Sequence, residues 1–153
     1  MNDLHRLPQP KRIVVRTREM GTVEAREDRL LEFAVPILGF ESYRRFVILP
    51  EPSAPPFHWL QSADEPELAF PVVRAADMGM IYTAETPGLR PLGARRWSEV
   101  EPWIIVVIPE GGDGLRMNFS APIAVNQRTG LAGQIVVGET PVVEQQAVGA
   151  AAW

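Results

Sequence analysis

The sequence predicts an all-β protein, a compact barrel-like antiparallel sheet of about nine short strands. Short runs of β-branched and aromatic residues alternate with turn signals roughly every ten residues, which is typical of sandwiches and barrels. The 15 prolines and 12 glycines interrupt every stretch that could form a long helix. With 153 residues, 46% hydrophobic and 22% charged, the chain has the size and composition of one ordinary globular domain.

The first part of the chain predicts strands wherever apolar residues recur between polar turns. These strands cover residues 13–18, 22–25, 30–33, 45–49 and 57–61. Four prolines between positions 50 and 56 predict a rigid, extended connection. Trp59 and Phe57 alternate onto one face of their strand, and we expect Trp59 to be buried in the core.

The second part continues the pattern with strands at 68–73, 104–108, 115–126 and 134–138. Pro71 cannot donate a ladder hydrogen bond and therefore indicates an edge or a bulge. The β-branched run at 104–108 predicts burial on both faces, and Glu110 to Gly114 reads as a hairpin loop. Residues 74–102 show no clean period, although a short helix is compatible with Ala94–Val100.

The predicted domain covers residues 12–140, between a flexible N-terminal tail at 1–11 and a loose C-terminal tail at 141–153. The N-terminal residues lack the apolar core of a secretory signal. No apolar run approaches the roughly 18 residues that a membrane span requires. We therefore expect a cytoplasmic protein that does not bind membranes.

The charge of the chain predicts a protein partner rather than a nucleic acid. Lys and Arg number 15 against 19 Asp and Glu, a net charge of −4. Affinity for phosphate depends on clustered cations, so we expect no direct binding of nucleic acid. The surplus of acid lies after residue 60, which favours a basic protein partner.

Residue types that carry catalysis are scarce. The chain has no cysteine and two histidines, of which His58 alone falls in the predicted domain. No phosphate-loop, dinucleotide, zinc-protease or nucleophile-elbow motif is present. Acids at 64, 65 and 67 and at 99 and 101 are typical of solvated turns. We predict no enzyme, metal or cofactor, and keep as the alternative a small β-barrel hydrolase or isomerase that uses His58 and nearby carboxylates.

Three segments, in order along the chain, resemble the FliW family of flagellar assembly factors. Residues 56–70 (PFHWLQSADEPELAF) resemble the pattern PF-x-WLQS-x-D-x-P-x-LAF. Residues 118–126 (NFSAPIAVN), followed by 133–136 (GQIV), resemble N-L-x-APIVIN followed by x-QVI. Residues 38–49 (LGFESYRRFVIL) resemble LPGFE with its following strand, although Leu38 stands where the family has Pro. Residues 74–102 depart from the acidic Asp/Tyr-rich segment usual in the family.

The resemblance implies a compact β-barrel without a cofactor that binds flagellin and the translational regulator CsrA. Bound to CsrA, such a protein prevents repression of flagellin mRNA. When flagellin accumulates, it captures the FliW protein, and the released CsrA stops flagellin synthesis. The chain would thus act as a chaperone-like flagellin binder and as a CsrA antagonist.

Two groups of residues are the candidate partner contacts. The first is the acidic group Asp64, Glu65 and Glu67, whose alternative is a plain solvated turn. The second is an edge marked by Pro122, which lacks an N–H. The candidate residues of that edge are Met117, Asn118, Phe119, Pro122 and Asn126. Asn118 and Asn126 would face the same way on a regular strand, whereas Asn126 at a strand end could simply cap a turn.

Overall fold

The computed structural model describes residues 9–109, 111, 114–138 and 142–143. Within these residues the chain forms twelve strands joined by turns and short 3-10 segments. The strands are β1 Arg12–Thr17, β2 Gly21–Arg26, β3 Leu31–Val35, β4 Arg45–Pro50, β5 His58–Ser62, β6 Ala69–Arg74, β7 Met80–Ile81, β8 Glu101–Val107, β9 Arg116–Met117, β10 Ile123–Asn126, β11 Leu131–Gln134 and β12 Val142–Val143. The described part of the chain holds no helix with the length and hydropathy to cross a bilayer.

Seven of these strands close into a barrel, which confirms the predicted fold class. The order is β10-β11-β3-β4-β5-β6-β8, and β8 pairs back to β10. One pair, β11 with β3, is parallel, so the expectation of a purely antiparallel sheet is wrong. The reason is geometric: around a ring of seven strands the direction cannot alternate at every step, and at least one neighbouring pair must run the same way.

Strand β4 shows how one continuous apolar run packs against two cores. Phe46 is fully buried inside the barrel, where its ring lies 4.9 Å from that of Phe33. Val47 and Leu49 point to the opposite face and pack beneath the β1–β2 hairpin. Because successive side chains of a strand alternate between faces, a single strand can join the barrel to the hairpin outside it.

Residues 74–102 cover the barrel with 3-10 turns rather than regular strands. The turns span Ala75–Met78, Pro87–Leu92 and Trp97–Glu99, so the expected helix at 94–100 is reduced to one short turn. Leu89 and Leu92 are fully buried. The Trp97 indole donates a hydrogen bond of 2.9 Å to Thr86 Oγ1. This irregular cover explains why the segment has no hydrophobic period.

The proline-rich connection and one strand differ from their predictions. Residues 51–57 fold into tight turns instead of an extended segment, since the Glu51 N–H donates to the Phe57 carbonyl at 3.0 Å.

Pro71 is paired with Trp59 of β5, and the hydrogen-bonded pairing of β6 with β8 starts one residue later, so the missing N–H of Pro71 leaves that pairing intact. Burial in β8 ends at Val106: Val107 is 49% and Ile108 64% exposed.

The last strands also shift. The single strand expected at 115–126 is two strands, β9 and β10, separated by a bend at 118–122. The strand expected at 134–138 lies earlier, at Leu131–Gln134, because the preceding turn closes at Gly130 with a positive φ of 74°. Val142–Val143 of the segment expected to be loose pairs with β7. Residues 1–8 and 144–153 lie outside the described residues, as do Glu110, Gly112 and Asp113 of the expected hairpin loop.

Candidate partner-binding surfaces

The first surface is the acidic turn, Ala63 to Leu68, which Gln61 holds from within the protein. Gln61 is 1% exposed, at the end of β5. Its Nε2 lies 3.1–3.3 Å from four carbonyl oxygens, those of Ser62, Glu65, Pro66 and Leu68. The two N–H groups of this buried amide thus donate among these carbonyls and tie the turn to the end of β5.

Ser62 fixes the other side of the same turn. Its Oγ accepts the N–H groups of Asp64 at 3.1 Å and Glu65 at 2.9 Å. Its own N–H donates to the Leu68 carbonyl at 2.9 Å. Sequence reasoning missed Gln61 and Ser62; the available signal was two polar residues that end an apolar strand directly before an acidic, proline-containing turn. The backbone that presents the three acids is therefore fixed within the chain.

Two arginines offset the charge of this turn. Asp64 receives a bidentate pair of hydrogen bonds from Arg45, which raises the pKa of that guanidinium. Glu67 lies 3.6 Å from Arg18, whose backbone N–H donates to Pro66. Asp64 and Glu67 are exposed and Glu65 is half-buried. A basic partner would meet accessible carboxylates but would compete with these arginines for them.

The second surface is the β9 edge, defined as Val107, Ile108, Met117, Asn118 and Phe119. In the described residues β9 pairs with β8 alone, with Met117 opposite Val106. Met117, Asn118 and Phe119 are half-buried, beside the largely exposed Val107 and Ile108. Strand edges next to exposed apolar side chains are common docking sites for other chains.

The bend after β9 is anchored on both sides. The Asn118 N–H donates to the Ile105 carbonyl at 3.0 Å. The Tyr82 hydroxyl donates to the Phe119 carbonyl at 2.6 Å. Burial raises the pKa of Tyr82, so this phenol remains a protonated donor. The half-buried side chains of the edge therefore stand on a fixed backbone.

Two residues expected at this edge lie inside the protein. Pro122 is buried, and Asn126 is 2% exposed. The Asn126 amide donates to the Leu92 carbonyl at 2.8 Å and accepts the Arg128 N–H at 3.1 Å. Asn126 thus caps a turn. The prediction that Asn118 and Asn126 face the same way is wrong, because the strand breaks between them. Neither Pro122 nor Asn126 is brought together with the exposed residues.

Trp59 also differs from its prediction, since it is half-buried and belongs to neither core. Its Nε1 donates to Glu51 at 3.4 Å. Its neighbour Leu60 is fully buried. Trp59 lies on the face away from the barrel interior, because Leu60 takes the inward position, and the expected common face with Phe57 is wrong, since Phe57 packs against the main core.

The surroundings of His58 bear on the enzyme alternative. His58 lies at one mouth of the barrel, where its Nδ1 is 2.9 Å from the Pro56 carbonyl and its ring 4.9 Å from that of Trp103. The carboxylate of Glu101 at this mouth accepts hydrogen bonds from Trp103 at 2.9 Å and Arg74 at 3.2 Å. Asp28, on the opposite wall, is bound by Arg26. Nothing in this arrangement specifically favours catalysis, because both acids are engaged by donors.

Comparison with known proteins gives one family. A family model described as FliW protein matches residues 14–146. A protein of Magnetococcus marinus named flagellar assembly factor FliW is 34% identical over 119 residues, 76% of this chain and 74% of that protein. Its namesake from Caldicellulosiruptor saccharolyticus is 33% identical over 115 residues, 74% of this chain and 75% of that protein. The Bacillus licheniformis namesake is 32% identical over 141 residues, 90% of this chain and 97% of that protein.

A solved structure shares the fold. A chain described as the crystal structure of the flagellar assembly factor FliW superposes with a TM-score of 0.70 at 23% identity. The match covers 86% of this chain and 96% of that chain. The barrel and its additional strands are therefore an architecture that recurs in a solved protein.

Proposed function

We propose that this chain, which belongs to the FliW family of flagellar assembly factors, acts by binding two proteins, flagellin and the translational regulator CsrA. Bound to CsrA, the chain keeps that regulator from repressing flagellin mRNA. Accumulated flagellin captures the chain, and the released CsrA then stops flagellin synthesis. The chain thus senses free flagellin through an exchange of partners.

The family match is the observation that carries this proposal, since it spans residues 14–146. The geometry supports a binding protein because two preformed surfaces, the acidic turn and the β9 edge, stand on backbones fixed by buried side chains. A preformed surface loses little conformational entropy when a partner docks. No comparable observation favours the enzyme alternative, so it is not carried further.

We place CsrA at the acidic turn. The resemblance implies a CsrA protein that is basic in its RNA-binding regions, and the turn presents Asp64 and Glu67 to solvent. Opposite potentials accelerate encounter, and added salt weakens that effect. A basic partner must displace Arg45 and Arg18 from the carboxylates, or share those carboxylates with them. Because of this competition, only a partner with a cation placed close to the carboxylates binds well.

We place flagellin at the β9 edge. Val107 and Ile108 expose 49% and 64% of their surface, whereas Met117 and Phe119 are half-buried and pack against the main core with their covered part. Apolar area of this kind gives the larger part of the affinity in many protein interfaces. Separate surfaces would let the two partners be tested independently.

The experiment is a triple reversal of the acidic turn, Asp64→Lys with Glu65→Lys and Glu67→Lys, measured against purified CsrA. The association rate should fall, and the wild-type rate should itself fall with added salt. Exposed turn charges contribute little to stability, so the variant should melt within a few degrees of the wild type.

The matched control reverses three exposed acids of β2 to β3, Glu24→Lys, Glu27→Lys and Glu32→Lys, which changes the net charge equally. The control should retain a larger share of CsrA binding than the turn variant. Equal losses in both variants, or no loss in the turn variant, would remove the acidic turn from the interface.

A further inference from the structure

A basic surface lies on this acidic chain, on the side of the barrel covered by residues 87–96. This arginine surface comprises Arg90, Arg95, Arg96 and Arg128, all exposed. Arg90 and Arg95 line one groove with Gly93, and Arg128 Nη2 lies 3.4 Å from the Gly93 carbonyl. Arg96 lines the adjoining groove together with Arg95. In the part of the chain that the structure describes, none of the four lies within ion-pair distance of a carboxylate.

The backbone beneath this surface is fixed. Leu89 and Leu92, on either side of Arg90, are fully buried. The Leu92 carbonyl accepts hydrogen bonds from Asn126 Nδ2 at 2.8 Å and Thr129 Oγ1 at 3.2 Å. Gly93 takes a positive φ of 77° and donates its N–H to the Arg90 carbonyl. The guanidinium groups therefore extend from anchored positions, which lowers the entropy that a partner must offset on binding.

The local charge opposes that of the whole chain. The net charge of the chain is −4, yet the four arginines have three acids beside them, Glu85, Glu99 and Glu101. Glu99 already accepts the Arg95 backbone N–H at 3.1 Å, and Glu101 is ion-paired with Arg74. With Arg74 counted beside its partner, five positive and three negative groups leave a local charge of about +2. A surface of this sign is complementary to carboxylates.

We propose that the arginine surface binds an acidic segment of a partner protein, with its Asp and Glu carboxylates on the arginine side chains. The groove between Arg90 and Arg95 has a volume of about 810 Å³, and Thr86, Pro87 and Ala94 also line it. Guanidinium groups bind carboxylates through paired hydrogen bonds, which gives orientation as well as affinity. The inference goes beyond the proposed function, because neither of the surfaces assigned there includes these residues.

The observations favour a peptide over a nucleic acid. The lining residues of this groove include no aromatic side chain on which a base could stack. Glu85 lies in the groove and repels a phosphate backbone charged at every unit, whereas a peptide can place an uncharged residue beside Glu85. The net charge of −4 also repels a long polyanion, whereas a short acidic segment meets mainly the local positive field.

The test measures fluorescence anisotropy of a labelled twelve-residue peptide rich in Asp and Glu, with a peptide of Asn and Gln at those positions as the uncharged comparison. The acidic peptide should bind the wild-type chain with an affinity that falls as salt is added. The double variant Arg90→Ser with Arg95→Ser should bind it about three- to tenfold more weakly.

The matched control is Arg12→Ser with Arg16→Ser, which removes the same charge from exposed positions on β1. This control should weaken binding of the acidic peptide by less than half as much as the groove variant does, because it changes the net charge without changing the groove. Equal weakening by both variants, equal binding of the uncharged peptide, or no binding of the acidic peptide would overturn the proposal. Tighter binding of a single-stranded RNA of equal charge would also overturn it.

Discussion

At the scale of single residues, the interior of the barrel depends on aromatic packing. Phe46 is fully buried, and its ring centroid lies 4.9 Å from that of Phe33 and 6.4 Å from that of Phe70. Trp59 is larger but only half-buried, and its indole points to a surface carboxylate. Burial rather than ring size should therefore decide which substitution unfolds the domain.

Phe46→Ala should lower the free energy of unfolding by about 3–5 kcal/mol, because it leaves a cavity in a packed core. Trp59→Ala should lower the free energy of unfolding by less than half as much. Urea denaturation of both variants measures the difference. A larger loss for Trp59→Ala would show that the indole, rather than Phe46, holds the strands together.

The carboxylate of Glu51 links pH to the proline-rich turns. Hydrogen bonds from the Ser53 backbone and hydroxyl, and from the Trp59 indole, hold the pKa of Glu51 below its ordinary value of 4.5. A lowered folded-state pKa gives stability that is present above the unfolded pKa and is lost as the pH falls through the folded pKa.

The melting temperatures of wild type and Glu51→Gln should therefore differ at neutral pH and converge in acid. Thermal melts from about pH 3 to pH 7 measure that difference. The difference should begin to shrink only below the ordinary pKa of 4.5. A difference that is constant over this range would show that the carboxylate charge contributes nothing to the turns.

At the scale of elements, closure of the barrel depends on Gly133. The register of the parallel β11–β3 pair shifts between Ala132 and Gly133. A Cβ added at Gly133 would lie 2.7 Å from Val35 Cβ, closer than side-chain carbons approach. The one parallel pair of the barrel therefore requires a residue without a side chain at this position.

Gly133→Ala should destabilise the protein by about 1–3 kcal/mol, because the backbone of β11 must move away from β3. Gly138→Ala is the matched control, since no neighbouring atom of the described residues lies within 4 Å of a Cβ added there. The control should melt at or slightly above the wild-type temperature. Equal melting temperatures for the two variants would mean that β11 moves away from β3 without loss of stability.

The elements that the sequence predicts are apolar or alternating runs bounded by turn signals. β1 to β6 are such runs, and each lies within about two residues of its expected place. Residues 74–102 carry no period because 3-10 turns bury Leu89, Leu92 and Trp97 at irregular intervals. The acids of the site were predictable as a turn. Two polar residues before that turn mark Gln61 and Ser62, but their hydrogen bonds to backbone groups seven and three residues further along depend on how the turn folds back over them, which the sequence pattern does not specify.

At the scale of the whole molecule, three surfaces of different chemistry surround one rigid barrel. The acidic turn ends β5, the β9 edge extends β8, and the arginine surface lies on the cover that precedes β8. Each stands on backbone held by buried groups, Gln61, Tyr82 and Asn126 respectively. Under the proposed function, the two partners bind such preformed surfaces without a change of fold.

The proposed exchange of partners is tested most directly by mixing the purified chain with CsrA and then adding flagellin, with complexes separated by size-exclusion chromatography. We expect a stable complex with CsrA, followed by release of CsrA and formation of a complex with flagellin. A folded chain, verified by a cooperative melt, that binds neither protein would contradict the account. A CsrA complex that flagellin leaves intact at saturating concentration would contradict the exchange itself.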